Sequence, residues 1–441
     1  MTAAMVDRLM WRAGFGPSEA DRQALVGKTV GAGVDALMST PQGPLQGTEP
    51  KNGANSLDIK ARTGDLVLTW LDRMVRTPTP IVERMTLFWH GHWTSSRSEV
   101  QPTQLMQIQN DRLRKYADLA ANPTADVGAL ANEMATDPAM LRYLTGESNV
   151  KGKANENYGR EVMELFLLGV VGPDGQPNYS ETDVKEIARA YSGWRINEAN
   201  PDAIVSYFTP ARWDAGQKSV LGQAGAFNQS DATAVVLQHP NHAGFMVRSL
   251  WDHFIPTAPQ PDTLADLAKT YLDSGRQIKP VLRKILTHPQ LFESIDEPNM
   301  IKSPTVYAVG VMRSLKVAIT DERVNTFLNQ MGQLPYYPPT VAGWEGGPAW
   351  LNTNTVLGRY TFAQELVGKM TDYADAPTET SQAAFDRAHA AVGGPWLSAG
   401  SRAALLDYAT NRAPAKTVAQ RKNRQVVLRT LMLAGPDSQV M

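Results

Sequence analysis

The chain has 441 residues, 42% hydrophobic and 20% charged, which is enough apolar material for a large buried core. Its 43 basic and 44 acidic side chains give a formal net charge of -1 with no long like-charge run, so neither a nucleic-acid groove nor a polybasic membrane patch is expected. The absence of cysteine excludes thiolate nucleophiles, disulfides, iron–sulfur clusters and zinc–thiolate sites.

Helical periodicity runs through most of the sequence. Residues 6–13 read as a short helix stopped by Gly14, Gly16 and Pro17, and Ser18 reads as the N-cap of the next. Residues 40–60, rich in Gly, Pro and Asn, form a loop. A helix over 66–76 is broken by Pro78 and Pro80 and resumes over 81–90. Further helices are predicted over 103–116, 126–136 and 137–143. After a loop at 146–154 comes a strongly helical run over 155–168, ended by Gly169, Gly172 and Pro173. Ser180 and Asp183 form a capping-box-like start for a helix reaching Ser192. Residues 195–225 hold the only strand-like segments, 203–209 above all. Helices recur over 231–237, 242–254, 262–274, 278–287 and 303–315. A stiff loop over 335–350 precedes a helix over 351–370, two more helices, and a last one ending near Leu433. No repeat and no linker divides the chain. The expectation is a mainly α protein, with residues 1–441 as one large helical domain and at most a small β-hairpin near 200–225. No apolar run approaches the ~18–20 residues of a membrane span. The first residues lack a basic head and an apolar run, so the location expected is the cytoplasm, or the chain is a trimmed mature form.

Six segments occur in order: VDRLMWRAGFGPS, FWHGHWTSS, NENYGREVMELFLLGV, YSETDVKEIARAYSGW, IKSPTVYAVGVMRSL and PPTVAGWEGGPAWL. Together they resemble the bacterial domain of unknown function 1800 family, over about residues 6–365, with the C-terminal helices at 366–441 beyond the motifs. The resemblance implies an all-helical bacterial protein, often exported and often encoded near a sulfatase-like partner protein. It implies no catalytic residue.

The densest polar motif is His90-Gly91-His92. Glu83 and His90 lie seven residues apart on one helical stripe, so Glu83 is placed to orient His90. His90 and His92 would diverge by about 200° on a continuous helix. A turn at Gly91 could bring both rings to one space, where two neutral imidazoles suit a divalent transition metal. The alternatives are a buried His90 hydrogen-bonded among Phe88, Trp89 and Trp93 with His92 capping carbonyls, or a catalytic role without metal.

On the 155–168 helix, Asn157, Arg160, Glu161 and Glu164 share one stripe, opposite Tyr158, Val162, Leu165 and Phe166. Either this is a solvated face with Arg160 bridging Glu156 and Glu164, or it lines a cleft covered by the loop at 146–153. In the second case Glu156, Arg160, Glu161 and Glu164 are catalytic candidates, with Asn155 and Asn157 at a polar N-terminus for substrate. Glu186 borders an apolar stripe and joins the catalytic candidates, whereas Asp183 reads as a first-turn acid. Trp344 and Trp350, on the stiff loop, either stack on a sugar ring or plug the core. His253 is placed to approach the site or the core; His239, His242, His288 and His389 carry less signal.

The sequence has no phosphate-binding Gly-rich loop, no H-E-x-x-H, no G-x-S-x-G and no paired Glu-x-x-His, and Lys302-Ser303 lacks the spacing of a Ser–Lys dyad. Three functions stay open. The first is metal-assisted hydrolysis or oxygen activation, with His90 and His92 completed by Glu161, Glu164 or Glu186. The second is metal-free glycan cleavage by two of Glu156, Glu161, Glu164 and Glu186. The third is a non-catalytic binding or assembly protein. A small molecule or glycan is the substrate expected for the first two.

Overall fold

A computed structural model describes residues 1–413 and 415–441. Its helix starts follow the capping signals. The side chains of Thr2, Ser18, Thr29, Asp126, Asp137 and Ser180 each accept a first-turn backbone N–H. Ser18–Asp21 and Ser180–Asp183 are reciprocal capping boxes, so Asp183 is the capping acid its position suggests. Pro80, Pro138, Pro261 and Pro304 open helices where a missing N–H costs nothing. The outcome is a mainly α protein, whose β structure among the described residues is two short antiparallel ribbons. The strand Val205–Phe208, within the strand-like segment 203–209, pairs with Trp194–Asn197 at the start of the 195–225 region, and Lys218–Val220 pairs with Gln223–Gly225. No helix among the described residues is long and apolar enough to cross a membrane.

The helix Pro80–His92 lies at the centre, and every residue from Pro80 to His90 is buried. A helix buried around its whole circumference belongs inside a bundle. It packs against Asp65–Arg76 and Thr103–Ala117. Glu83, fully buried, fastens the three. Its carboxylate accepts from Trp70 Nε1 at 2.8 Å, Arg73 Nε at 2.7 Å and Arg114 Nε at 2.8 Å. This corrects the expectation that Glu83 orients His90: the carboxylate is satisfied by two guanidinium groups and an indole.

One buried apolar cluster runs from Leu9 to Met441. The chain ends meet within it. Met441 N donates to the Met300 carbonyl at 2.8 Å, Lys302 N to the Gln439 carbonyl at 2.8 Å, and Arg12 Nη2 to the Met441 carbonyl at 2.8 Å. The N-terminal helix Ala3–Arg12, the segment leading into the helix Pro304–Leu315, and the last residues therefore form one packed unit.

Removing one charge from a buried pair strands its partner, at a cost of about 3–5 kcal/mol. Glu83→Gln is expected to lose about that much stability. Urea denaturation measures it, and a loss under about 1 kcal/mol, the scale of an exposed pair, would show that Glu83 does not hold the three helices.

Candidate functional site

The two histidines of the densest motif take separate partners. His90 Nε2 accepts the backbone N–H of Tyr336 at 3.0 Å, and its ring is surrounded by Trp70, Tyr336 and Trp344 at 5.3–5.6 Å. His92 stays helical and turns the other way. Its Nε2 donates to the Phe166 carbonyl at 2.8 Å, and its ring stacks on Phe88 at 5.8 Å. The turn at Gly91 that was to bring both rings together does not form, because the helix continues to His92. Among the described residues, no group of three or more His, Asp or Glu side chains stands where it could hold a metal ion.

The partner of His92 explains a feature that periodicity does not reveal. The helix Glu156–Glu161 widens into a π-turn over Val162–Leu167, whose terminal carbonyls need donors. His92 supplies one to Phe166. His242 Nδ1 supplies one to Leu167 at 2.6 Å, and Asn178 Nδ2 serves Leu168 at 3.2 Å and Gly169 at 3.0 Å. His242 Nε2 also meets Tyr271 Oη at 2.8 Å, so this ring is a buried bridge rather than a simple cap.

The polar stripe keeps its expected face, with Tyr158, Val162 and Phe166 buried and Glu156 and Asn157 exposed. Arg160, however, pairs through both guanidinium nitrogens with Glu181 (3.0 and 2.6 Å), not with Glu156 and Glu164. Glu164 accepts from Tyr179 Oη at 3.1 Å. Glu161 is half-buried, and its carboxyl is pushed above the usual range by burial and then by the charge of Glu164. Asn155 caps its own helix, accepting from Tyr158 N and donating to the Leu144 carbonyl. Glu186 is paired with Arg189 at 2.7 Å and accepts from Ser219 N at 3.2 Å. The loop ahead of Asn155 covers the helix Glu181–Ala190, where Asn149 Nδ2 donates to the Ala188 carbonyl at 2.8 Å. Trp344 and Trp350 are both partly buried, and Trp344 packs against His90.

A cavity of about 210 Å³ lies elsewhere, where the first and fifth sequence motifs meet the end of the chain. Trp11, Tyr307, Gly310, Lys302, Trp396 and Ser438 are among its walls. Gly310 is needed here, since a Cβ at that position would stand 2.5 Å from the Trp11 ring. Lys302 sits just before the Ser303 N-cap of the helix Pro304–Leu315 and is 6% exposed. Its Nζ donates to the Ser438 carbonyl at 2.9 Å and lies 3.7 Å over the Trp11 ring. Both contacts favour the ammonium, but no carboxylate pairs with it among the described residues, and burial outweighs them. Burial, followed by the nearby Arg359 guanidinium, lowers the amine to about 7. Pro17, Arg22, Arg313 and Ser314 also line a wider surface groove of about 980 Å³, which gives the cavity a route to solvent. Sequence reading passed over Lys302 as a failed Ser–Lys dyad. The available signal was a lone cation against an apolar helix, Thr305 to Met312.

This geometry defines a helical protein with a cavity that has the buried Lys302 on its wall. A family model described as "Protein of unknown function (DUF1800)" matches residues 8–440, and the chain belongs to that family. The match reaches beyond the motifs, through the C-terminal helices that close the cavity. No curated protein and no protein of solved structure matches the chain.

Burial lowers His90 to about 3 and both His92 and His242 to about 4, against about 6.5 in an unfolded chain. Between those values the unfolded chain binds more protons, so their contribution is present above pH 6.5 and lost as pH falls through 4 toward 3. His90 alone accounts for about 3 kcal/mol by pH 4. Denaturation across pH 4–7 should therefore show a steep decline, and His90→Gln, which keeps an acceptor for Tyr336 N but does not titrate, should flatten it. An equal slope in the variant would contradict the assignment.

Proposed function

We propose that this protein is an enzyme acting on a small molecule with a carbonyl group, and that the cavity around Lys302 is its active site. The observation that carries this reading is a buried amine without a carboxylate partner on the wall of a mostly apolar cavity. Such an amine is a nucleophile near neutral pH. Trp11, Tyr307 and Trp396 offer apolar surface for the body of the substrate. The Nζ lone pair would attack the carbonyl carbon, and loss of water from the carbinolamine would leave an imine. The metal-assisted reading has less support, because His90 Nε2 and His92 Nε2 are both committed to backbone groups.

The test is reductive trapping with a small aromatic aldehyde and cyanoborohydride at pH 7, followed by peptide mass spectrometry. An ordinary lysine is only about 0.04% neutral at that pH, from a pKa near 10.4. An amine at about 7 is half neutral. Lys302 should be modified first, and Lys302→Met should lose that fast phase. Modification spread evenly over the surface lysines would contradict the proposal.

One observation favours a second reading, acid–base cleavage of a glycan. Glu161 and Glu164 share a helix face, and burial, followed by the Glu164 charge, raises the Glu161 carboxyl above its ordinary range, the direction a general acid needs. If the protein cleaves any member of a glycan panel, Glu161→Gln should lower kcat by about 10²–10⁴-fold. Cleavage unaffected by that change, or none at all, removes this reading.

A further inference from the structure

The central helix carries a second charge into the core, and the protein does not pair it. Arg84 is 3% exposed, and its Nε has no hydrogen-bond partner. No carboxylate is in ion-pair contact with it among the described residues. One turn further along, Phe88 packs edge-on against His253, with ring centres 5.1 Å apart. The Nε2 of His253 is also buried without a partner. Arg12 arrives from the N-terminal helix. Its Nη1 donates to the carbonyl of Phe254, the residue after His253, at 2.8 Å. Its Nη2 is satisfied by Asn299 Oδ1 at 3.0 Å and the Met441 carbonyl at 2.8 Å, but its Nε is left over.

Three helices thus bring the Arg12 and Arg84 guanidinium groups and the His253 imidazole into one neighbourhood, with no carboxylate in ion-pair contact with any of them among the described residues. Burial lowers the proton affinity of both Arg12 and His253, and neighbouring cations add to it: Arg8 and then Arg84 for Arg12, Arg84 for His253. Burial takes Arg12 and Arg84 down to about 9, so both remain charged at neutral pH. Uncompensated charge in such a place is strongly unfavourable. The two free guanidinium Nε–H groups are donors, and a neutral His253 can present Nε2–H beside them, which suits an acceptor-only ligand carrying negative charge.

We propose that a small monovalent anion of the halide class binds between Arg12, Arg84 and His253. A halide accepts hydrogen bonds from any direction, and the Phe88 and Phe254 rings that pack against His253 offer no competing polar group. Neutral His253, as the Nε2–H tautomer, would donate alongside the two Nε–H groups. The ion would tie the end of the N-terminal helix to the core. That would also fix Trp11, the neighbour of Arg12, at the cavity wall. The inference does not depend on the chemistry proposed for Lys302.

Two measurements on the whole protein test it. Crystals grown in sodium bromide should show an anomalous peak within hydrogen-bond distance of Arg84 Nε and His253 Nε2. Tm should rise with sodium chloride relative to sodium gluconate at equal ionic strength, and saturate as a single site fills. Arg84→Met should abolish that difference. Bromide crystals with only water at this position would overturn the proposal, even if the variant proved too unstable to study. An unchanged chloride response in a folded Arg84→Met variant would do so as well.

Discussion

A charged side chain drawn into a helical core has to find a partner there, because burial removes the water that would otherwise solvate it. Glu83 meets this constraint most completely. Its carboxylate takes donors from Trp70, Arg73 and Arg114, and so sets how the helices Asp65–Arg76 and Thr103–Ala117 lie against the central one. The same requirement accounts for the histidines. His92 and His242 supply the N–H groups that the π-turn carbonyls at Phe166 and Leu167 would otherwise lack. His90 supplies a lone pair to the Tyr336 amide. Tyr336 has φ of 68°, a strained value for a non-glycine residue, and this hydrogen bond helps to hold it there.

Seen this way, the polar residues divide into two groups. Those with protein partners build the fold, which includes most of the conspicuous ones: Glu83, His92, Asn155, Arg160 and Glu186. Those without a matching partner are fewer. Lys302 has one carbonyl and an indole face but no carboxylate in ion-pair contact among the described residues, and it borders open space. That asymmetry directs attention to the junction of the chain ends rather than to the histidine motif. The junction also depends on the fold as a whole, since Trp11, Lys302 and Ser438 come from three distant parts of the sequence.

The fold was largely legible in the sequence because its signals are local. Ser18, Ser180, Pro80 and Pro304 announce helix starts through interactions within one turn, and the structure places helices there. The widening of the helix after Glu161 was not legible, because it is stabilised by donors from His92, His242 and Asn178. The candidate site suffered from the same gap. Spacing shows that His90 and His92 are close in sequence, but not that Tyr336 N and Phe166 O lie in opposite directions to receive them. Arg160 chose Glu181, on a neighbouring helix, over two glutamates on its own. Lys302 looks ordinary until Trp11 and Ser438 close around it.

Burial with no ion-paired carboxylate among the described residues, followed by the nearby Arg359 guanidinium, brings the Lys302 amine down to about 7. The most direct measurement is an NMR titration of the folded protein carrying ¹³C-labelled lysine, following the Lys302 Cε resonance assigned by comparison with Lys302→Met. A midpoint near 7, set apart from the surface lysines, is expected. A midpoint among theirs, near 10.4, would mean that the ammonium is satisfied where it lies and would remove the proposed nucleophile.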